Sequence, residues 1–181
     1  MALTGAILIA FVTGHLIGNL QVFSAPDKIN GYAHFLQSLG PTLWIVRLIL
    51  LASVIIHIWA ATVLTLENRA ARGTRYAVRH TIRATFSSLT MRWTGVVVLA
   101  FILYHLAHFS LGLAQADTFK TALPPYTMAA AYHVFGIPVV AAGAQVLDVH
   151  SMMILGFQSA IVSVFYIVAI GLLSLHLLHG V

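Results

Sequence analysis

The chain carries one apolar pattern twice, as "TGAILIAFVTGH" (Thr4–His15) and as "TGVVVLAFILYH" (Thr94–His105). The two windows share Thr, Gly, Ala, Phe and His at the same positions and begin ninety residues apart. Uninterrupted apolar runs of this kind are typical of membrane-spanning helices. A single histidine inside such a run often only hydrogen-bonds a neighbouring helix, but a histidine repeated at the same position is harder to explain in that way. The repeat therefore predicts two related membrane helices, each with a histidine that has a role.

The composition supports a membrane location for the whole chain. Of 181 residues, 60% are hydrophobic and 7% are charged, and the mean hydropathy is +0.97. A helix needs about 20 apolar residues to cross a bilayer core, and continuous runs indicate helices rather than a barrel. We expect an all-α membrane protein, a transmembrane helical bundle forming one domain over residues 1–181. The four predicted spans are approximately 3–23, 41–66, 93–115 and 157–179.

A further apolar stretch, "VFGIPVVAAGAQVL" (134–147), suggests a fifth span. It has fourteen residues, which is short for a span, and Gly136, Pro138 and Gly143 interrupt it. We therefore interpret it as a re-entrant or interfacial piece.

The basic residues predict the orientation. Six of the nine lie in or beside the link between the second and third runs, and the positive-inside rule places that link in the cytoplasm. The N-terminus is then also cytoplasmic, and segments 24–40 and 116–156 face outward. For most of these arginines, the favoured role is to set the topology and to contact lipid headgroups. The alternative is that a soluble partner docks on them. They are Arg69, Arg72, Arg75, Arg79, Arg83 and Arg92.

The absence of cysteine limits the chemistry. The sequence has no disulfides, no thiolate zinc sites and no cysteine-ligated iron–sulfur clusters, so histidine or oxygen must hold any metal. The acids offer no carboxylate pair within the membrane, because all four lie at or beyond predicted helix ends. They are Asp27, Glu67, Asp117 and Asp148.

Four histidines fall at two matched depths. At 1.5 Å per residue, His15 and His105 lie about 12 to 15 Å from the outer ends of their runs. His57 lies about 22 Å below the outer edge, and His176 about 28 Å below it. We therefore expect two pairs, His15 with His105 and His57 with His176.

Two of these assignments have close competitors. His108 lies three residues after His105, and the ninety-residue repeat selects His105. His179 lies three residues after His176 and about 33 Å deep, so His176 is the better match to His57. A different start of the last helix would favour His179.

Two imidazoles at one level can fill both axial positions of a haem iron. Two such pairs imply two stacked haems b, bound without covalent attachment because the chain has no Cys-x-x-Cys-His. Filled axial positions favour electron transfer over oxygen activation.

Small residues accompany these histidines. Each repeated threonine precedes its histidine by eleven residues, about three helical turns, and so lies on the same face. Gly14 and Gly18 form a G-x-x-x-G around His15, and helix packing is the favoured explanation for it.

The segments "FVTGHLIGN", "VIIHIWAA", "FILYHLAHF" and "YIVAIGLLSLHLLHG" resemble the haem-binding helices of a known family. It comprises the two-haem cytochrome b membrane anchors of succinate:quinone oxidoreductases and fumarate reductases, of the five-helix kind found in menaquinone-using bacteria. The resemblance covers nearly the whole chain. It implies that His15 and His105 hold the distal haem, and that His57 and His176 hold the proximal haem.

The resemblance also implies partners and a direction of electron flow. A flavoprotein subunit oxidises succinate, an iron–sulfur subunit passes the electrons to the proximal haem, and the distal haem reduces a membrane quinone, with menaquinone expected. The chain would be the membrane subunit of a respiratory enzyme in the cytoplasmic membrane of a prokaryote, in contact with lipid and with no nucleic-acid partner. The dicarboxylate chemistry would lie on other subunits, and a higher oligomer of the complex is possible.

The outer segment "INGYAHFLQSLGP" resembles the first external loop of the family, where quinone chemistry has been placed. His34 is the best candidate, because imidazole titrates near neutral pH and can both donate and accept a hydrogen bond. Capping or solvating an interfacial turn is an equally weighted alternative for His34. Asn30, Gln37 and Asp27 are neighbouring candidates, and His133 and His150 are in reserve.

The chain departs from the family at both ends. The family has a fifth helix after the position of Gly180 and often a basic tail before the first helix, and neither is found in the sequence. In the family the fifth helix carries no haem ligand, so the histidine assignment is unaffected.

Other classes of protein also fit part of the pattern. Cytochrome b anchors of hydrogenase, formate dehydrogenase or nitrate reductase also use paired histidines, but the repeat favours the succinate family. A histidine-lined metal transporter would be expected to have acids at mid-membrane or broken helices. A haem-free structural anchor is a third alternative.

Overall fold

A computed structural model of the chain describes residues 1–71 and 85–180, apart from the side chain of His179. Arg69 and Arg92, on either side of the undescribed segment, are exposed. The other four arginines of the predicted cytoplasmic link lie outside the described residues. They are Arg72, Arg75, Arg79 and Arg83.

Within residues 1–71 and 85–180, four helices are long and apolar enough to cross a membrane, which confirms the prediction of four spans. The fold is mostly helical, as expected of an all-α multi-pass membrane protein. The first and third spans each end in a turn of different pitch, a 3₁₀ turn and a π turn respectively. The spans are α1 (Ala2–Asn19, then Leu20–Phe23), α3 (Pro41–Ala70), α4 (Phe86–His105, then Leu106–Ser110) and α6 (Ala160–Gly180).

The third span is shifted relative to the predicted range 93–115. It begins at Phe86 because Thr85 caps the helix, its side chain accepting a hydrogen bond from the Ser88 backbone N–H at 3.2 Å. It ends at Ser110, shortly before Gly112, whose φ of 68° is incompatible with a continuing right-handed helix. The fourth span begins at Ala160 rather than near residue 157.

The spans pack as two pairs. In the described part of the chain, the extensive contacts between spanning helices join α1 to α3 and α4 to α6. One face of α6 carries Val162, Tyr166 and Ala169, which are 8%, 5% and 1% exposed, and the Tyr166 ring lies 5.1 Å from that of Phe101 in α4. Their spacing of four and then three residues is that of one helical stripe. Elsewhere the spans expose apolar side chains such as Trp59 and Ile167, as expected of helices in lipid.

The segments that join α1 to α3 and α4 to α6 fold together at one end of the bundle. We call residues 24–40 and 111–158 the cap. The cap contains α2 (Pro26–Ser38) and α5 (Val149–Gln158), so the first outer segment is a helix. Two clusters of buried side chains hold the cap together. One contains Met128, Tyr132, Val140 and Val146, and the other contains Ile29, Val149 and Met152.

The apolar segment 134–147 lies in β-hairpin structure in the cap, so it is not a fifth span, as expected from its length. The re-entrant interpretation is wrong, and an interfacial location stays a prediction. The inner strands β2 and β3 are joined by Phe135 and Gly136, with φ values of 50° and 82°. Positive φ at both residues is the signature of a two-residue hairpin turn. The antiparallel pairs are β1 (Tyr126–Thr127) with β4 (Gln145–Val146), and β2 (Tyr132–Val134) with β3 (Ile137–Val140).

Candidate functional site

His15 and His105 meet between the two helix pairs. Their ring centroids are 5.7 Å apart and the ring planes are at 88°. A metal–imidazole bond is about 2 Å long, so two imidazoles on opposite sides of one metal ion have ring centroids about 6 Å apart. Each ring can rotate about its metal–nitrogen bond, so the angle between the two ring planes does not affect this distance. The separation therefore fits a pair of axial ligands.

The repeated phenylalanine packs against the repeated histidine in each half. The ring of Phe11 stacks on His15 at 5.3 Å, and Phe101 lies 5.8 Å from His105. The residues in each pair are four apart, the spacing at which side chains meet on a helix. This contact explains why phenylalanine and histidine recur together.

The repeated threonine contacts a histidine of the next span in the chain. Thr4 Oγ1 lies 3.1 Å from Nδ1 of His57, and Thr94 Oγ1 lies 3.1 Å from Nδ1 of His176. The two helix pairs thus contain the same polar contact. It links the repeat to the two histidines that the repeat itself does not contain.

One tautomer of both histidines suits these contacts and leaves Nε2 for a ligand. Each threonine hydroxyl also donates to the carbonyl three residues earlier, at 2.9 Å for Thr4 and 3.0 Å for Thr94. A hydroxyl has one hydrogen, and a carbonyl only accepts. This arrangement is compatible with Nδ1–H of His57 and of His176 donating to the threonine oxygen. The lone pair of each neutral ring is then on Nε2, the nitrogen that a metal would use.

The repeated glycine allows the same histidines to come close. A Cβ on Gly95 would lie 3.3 Å from Cε1 of His176, and a Cβ on Gly5 would lie 3.7 Å from Cε1 of His57. The first distance is tighter than ordinary contact and the second is ordinary contact. Gly95 is therefore required more strictly than Gly5.

His57 and His176 lie at matching positions in their spans. Each is the sixteenth residue after the first residue of its helix, Pro41 in α3 and Ala160 in α6. At 1.5 Å per residue both lie about 24 Å along the helix. The observed start of α6 thus improves the match expected for His176.

His108 belongs to a different network. It is 3% exposed, its Nε2 lies 3.2 Å from Oε1 of Gln115, and its Nδ1 lies 3.1 Å from the hydroxyl of Tyr166. The same hydroxyl lies 3.4 Å from Nδ1 of His105. Both nitrogens of His108 are therefore engaged within the protein, and His105 is the one that faces His15.

Gly14 and Gly18 have different surroundings. A Cβ on Gly18 would lie 2.5 Å from the hydroxyl of Tyr32, so Gly18 serves the packing of α1 against α2. A Cβ on Gly14 would meet no atom of the described residues within 4 Å. Packing thus explains Gly18 but not Gly14.

The proposed quinone residues have separate environments in the cap. His34 and Gln37 are exposed and three residues apart on α2, so they share a face. Asn30 is 0% exposed. It donates to Asp148 at 3.3 Å and accepts from the His150 backbone N–H at 2.8 Å, which ties α2 to the start of α5.

The remaining cap candidates also make local bonds. Asp27 accepts a hydrogen bond from the Ala129 backbone N–H at 2.8 Å, joining α2 to the strand region. His133 is exposed, and its Nδ1 lies 3.2 Å from the carbonyl of Ala131.

Comparison with known proteins gives no match to a family model, a curated protein or a solved structure. Within residues 1–71 and 85–180, no group of three or more His, Cys, Asp or Glu side chains is arranged to hold a metal ion. The candidate site is therefore defined by its own geometry.

Sequence reasoning missed Tyr166 and the link through Gln115. A signal for Tyr166 exists, because Val162, Tyr166 and Ala169 have helical spacing and the same stripe continues to His176. Gln115 lies beyond the helix in the left-handed conformation, with φ of 56°, and nothing in the sequence indicates its partner.

Proposed function

We propose that the chain is the two-haem cytochrome b membrane anchor of a succinate:quinone oxidoreductase. The observation that carries the proposal is the approach of His15 and His105, which come from different helix pairs and have the separation of two axial ligands. Haem bound in this way would transfer single electrons without binding oxygen.

The four histidines have distinct roles in this proposal. His15 and His105 hold the distal haem, on the side of the cap. His57 and His176 hold the proximal haem at the deeper level, and Thr4 and Thr94 orient them. Hydrogen bonds to the second ring nitrogen of a ligating histidine commonly fix its orientation and raise its basicity. The proton on Nδ1 therefore suits both histidines to ligation through Nε2.

The protein surroundings favour a flat, apolar cofactor. The phenylalanines Phe11 and Phe101 supply aromatic walls, and Gly5 and Gly95 keep the backbone close to the histidine rings. The approach of His15 and His105 from two different helix pairs is explained by cofactor binding better than by helix packing alone.

The wider assignment follows from the family resemblance. A flavoprotein subunit and an iron–sulfur subunit would dock on the cytoplasmic face, beside Arg69 and Arg92, and a quinone would accept electrons near the cap. Arginine suits such a face because its planar fork binds carboxylates of haem or of a partner protein in two-point fashion. The complex would lie in the cytoplasmic membrane of a prokaryote, with menaquinone as the expected quinone.

A reduced-minus-oxidised visible spectrum and a redox titration of the complex purified from membranes test the proposal. We expect two b-type haems per chain, with separate midpoint potentials. A purified chain without haem absorbance, from cells supplied with haem, would exclude the cytochrome function.

A further inference from the structure

We infer that Tyr166 is a positioning residue for His105, and that Gln115 in the cap controls the hydrogen-bonded chain between them. The inference rests on the proposed function, since it concerns how His105 would hold a haem. It assigns to a cap residue, outside the membrane span, an influence on the distal cofactor.

The geometry forms one continuous path from the cap into the membrane. Gln115 Oε1 lies 3.2 Å from Nε2 of His108, and Nδ1 of His108 lies 3.1 Å from the Tyr166 hydroxyl. That hydroxyl lies 3.4 Å from Nδ1 of His105. His108 and Tyr166 are 3% and 5% exposed, so water does not compete for these groups.

Gln115 sets the direction of every bond in the path. Its carbonyl oxygen only accepts, so Nε2 of His108 carries the proton and donates it. In neutral His108, Nδ1 then accepts, and the Tyr166 hydroxyl donates to it. The phenol oxygen is left to accept from Nδ1–H of His105. His105 therefore has its lone pair on Nε2, like His57 and His176.

This direction affects the ligand properties of His105. A hydrogen bond from Nδ1–H raises the basicity of the ligating nitrogen and so favours the ferric state of a bound haem. Because bonds in a chain polarise one another, a stronger acceptor at Gln115 strengthens the bond at His105. The chain thus ties the reduction of the distal haem to the hydrogen bonding of the cap.

The first test is Tyr166→Phe, with a spectroscopic redox titration of the purified complex. A lost hydrogen bond of about 1 kcal/mol corresponds to about a fivefold change in an equilibrium constant. At the wild-type midpoint potential, the reduced-to-oxidised ratio of the haem that depends on His15 and His105 should rise about fivefold. The other haem should not change.

Tyr104→Phe is the matched control. Tyr104 packs in the same aromatic group, with its ring centroid 6.1 Å from that of Tyr166, but its hydroxyl is not part of the path. We expect its redox titration to match the wild type. An equal shift in both variants would mean that the aromatic packing, not the hydroxyl, matters, and would overturn the inference.

If the complex with Tyr166→Phe does not assemble, a substitution of Gln115 tests the same hydrogen-bonded path. In Gln115→Glu a carboxylate accepts from His108 more strongly, so the same haem should become harder to reduce. Thr118→Glu adds a charge in the same turn without entering the path, because Thr118 bonds only the Gln115 backbone carbonyl, at 3.2 Å. Equal effects of Gln115→Glu and Thr118→Glu, or no effect of Gln115→Glu, would contradict the inference.

These outcomes separate the inference from the proposed function. A wild-type complex with two haems and unchanged potentials in Tyr166→Phe would refute only the role of Tyr166. A wild-type chain that binds no haem would refute the proposed function itself.

Discussion

The hydroxyl oxygen of Thr94 lies 3.1 Å from Nδ1 of His176, and both residues belong to the same packed pair of spans. The contact between Thr4 and His57 has the same length. A polar contact made twice, at equivalent positions of a repeat, indicates a shared requirement of the two histidines.

Loss of either histidine of a pair should remove the same haem. His15→Ala and His105→Ala should each remove the same haem, and His57→Ala and His176→Ala should each remove the other, because each haem needs both axial ligands. Haem content and low-temperature spectra of the four variants provide the measurement. Full occupancy in His176→Ala, together with loss in His179→Ala, would reassign the ligand on α6.

Removing the Thr94 hydroxyl should weaken one haem site. Thr94→Val keeps the shape but removes the hydroxyl that contacts Nδ1 of His176, and the loss of such an outer hydrogen bond typically reduces metal affinity tenfold to a hundredfold. We expect a similar loss at the same haem in Thr4→Val, measured by haem retention during purification. Thr90→Val is the control, since that hydroxyl bonds only carbonyls of its own helix, at 2.9 Å and 3.4 Å. Equal haem loss in the control would argue against a role for the contact.

The two repeated glycines should respond differently to alanine. Gly95→Ala places a methyl 3.3 Å from His176, so the ring must shift by a few tenths of an ångström, and the spectrum of that haem should change. Gly5→Ala places a methyl 3.7 Å from His57 and should be tolerated. Electron paramagnetic resonance of the ferric haems detects changes in ligand geometry. Identical signals in both variants would show that the His176 site has more room than its contacts indicate.

His34 should affect the quinone and not the haems. His34→Ala should slow succinate-dependent quinone reduction while leaving both haems bound and reducible by dithionite. Asn30→Ala should instead destabilise the cap by about 2 kcal/mol, because it removes two hydrogen bonds, one to Asp148 and one from the His150 backbone N–H. Thermal denaturation and quinone reduction rates, measured on both variants, separate these roles. Unchanged turnover in His34→Ala would move the quinone site to the 126–150 segment.

The orientation can be tested by labelling single cysteines, because the chain has none of its own. Asn68→Cys, exposed near the end of α3, should react with an impermeant maleimide only from the cytoplasmic side. Ala130→Cys, exposed in the cap, should react only from the outside. The reverse pattern in sealed right-side-out vesicles would invert the topology.

The four spans could be predicted because apolar length alone decides whether a helix can cross a bilayer. The meeting of His15 and His105 was expected from the repeat and from their common depth. The ends of the third span were less accurate, because capping by Thr85 and the positive φ of Gly112 depend on local geometry.

The cap was the part that sequence reasoning described least well. The hairpin around Phe135 was interpreted by its hydropathy, although Gly136 signals a turn and the strands on either side of it pair with each other. Tyr166 was missed for a different reason. Its role depends on contact with His105, which lies 61 residues away in the sequence, and no local sequence pattern indicates that contact.

The pairing of the spans has a consequence for how the chain is synthesised. The helices of each packed pair, α1 with α3 and α4 with α6, are consecutive spans, so a helical hairpin leaving the insertion machinery already contains both partners of its threonine–histidine bond. The partner of His15 is synthesised later, because His105 follows it by ninety residues and enters the membrane with the third span. During biogenesis, the first pair of spans is therefore complete in itself before the partner of His15 has reached the membrane.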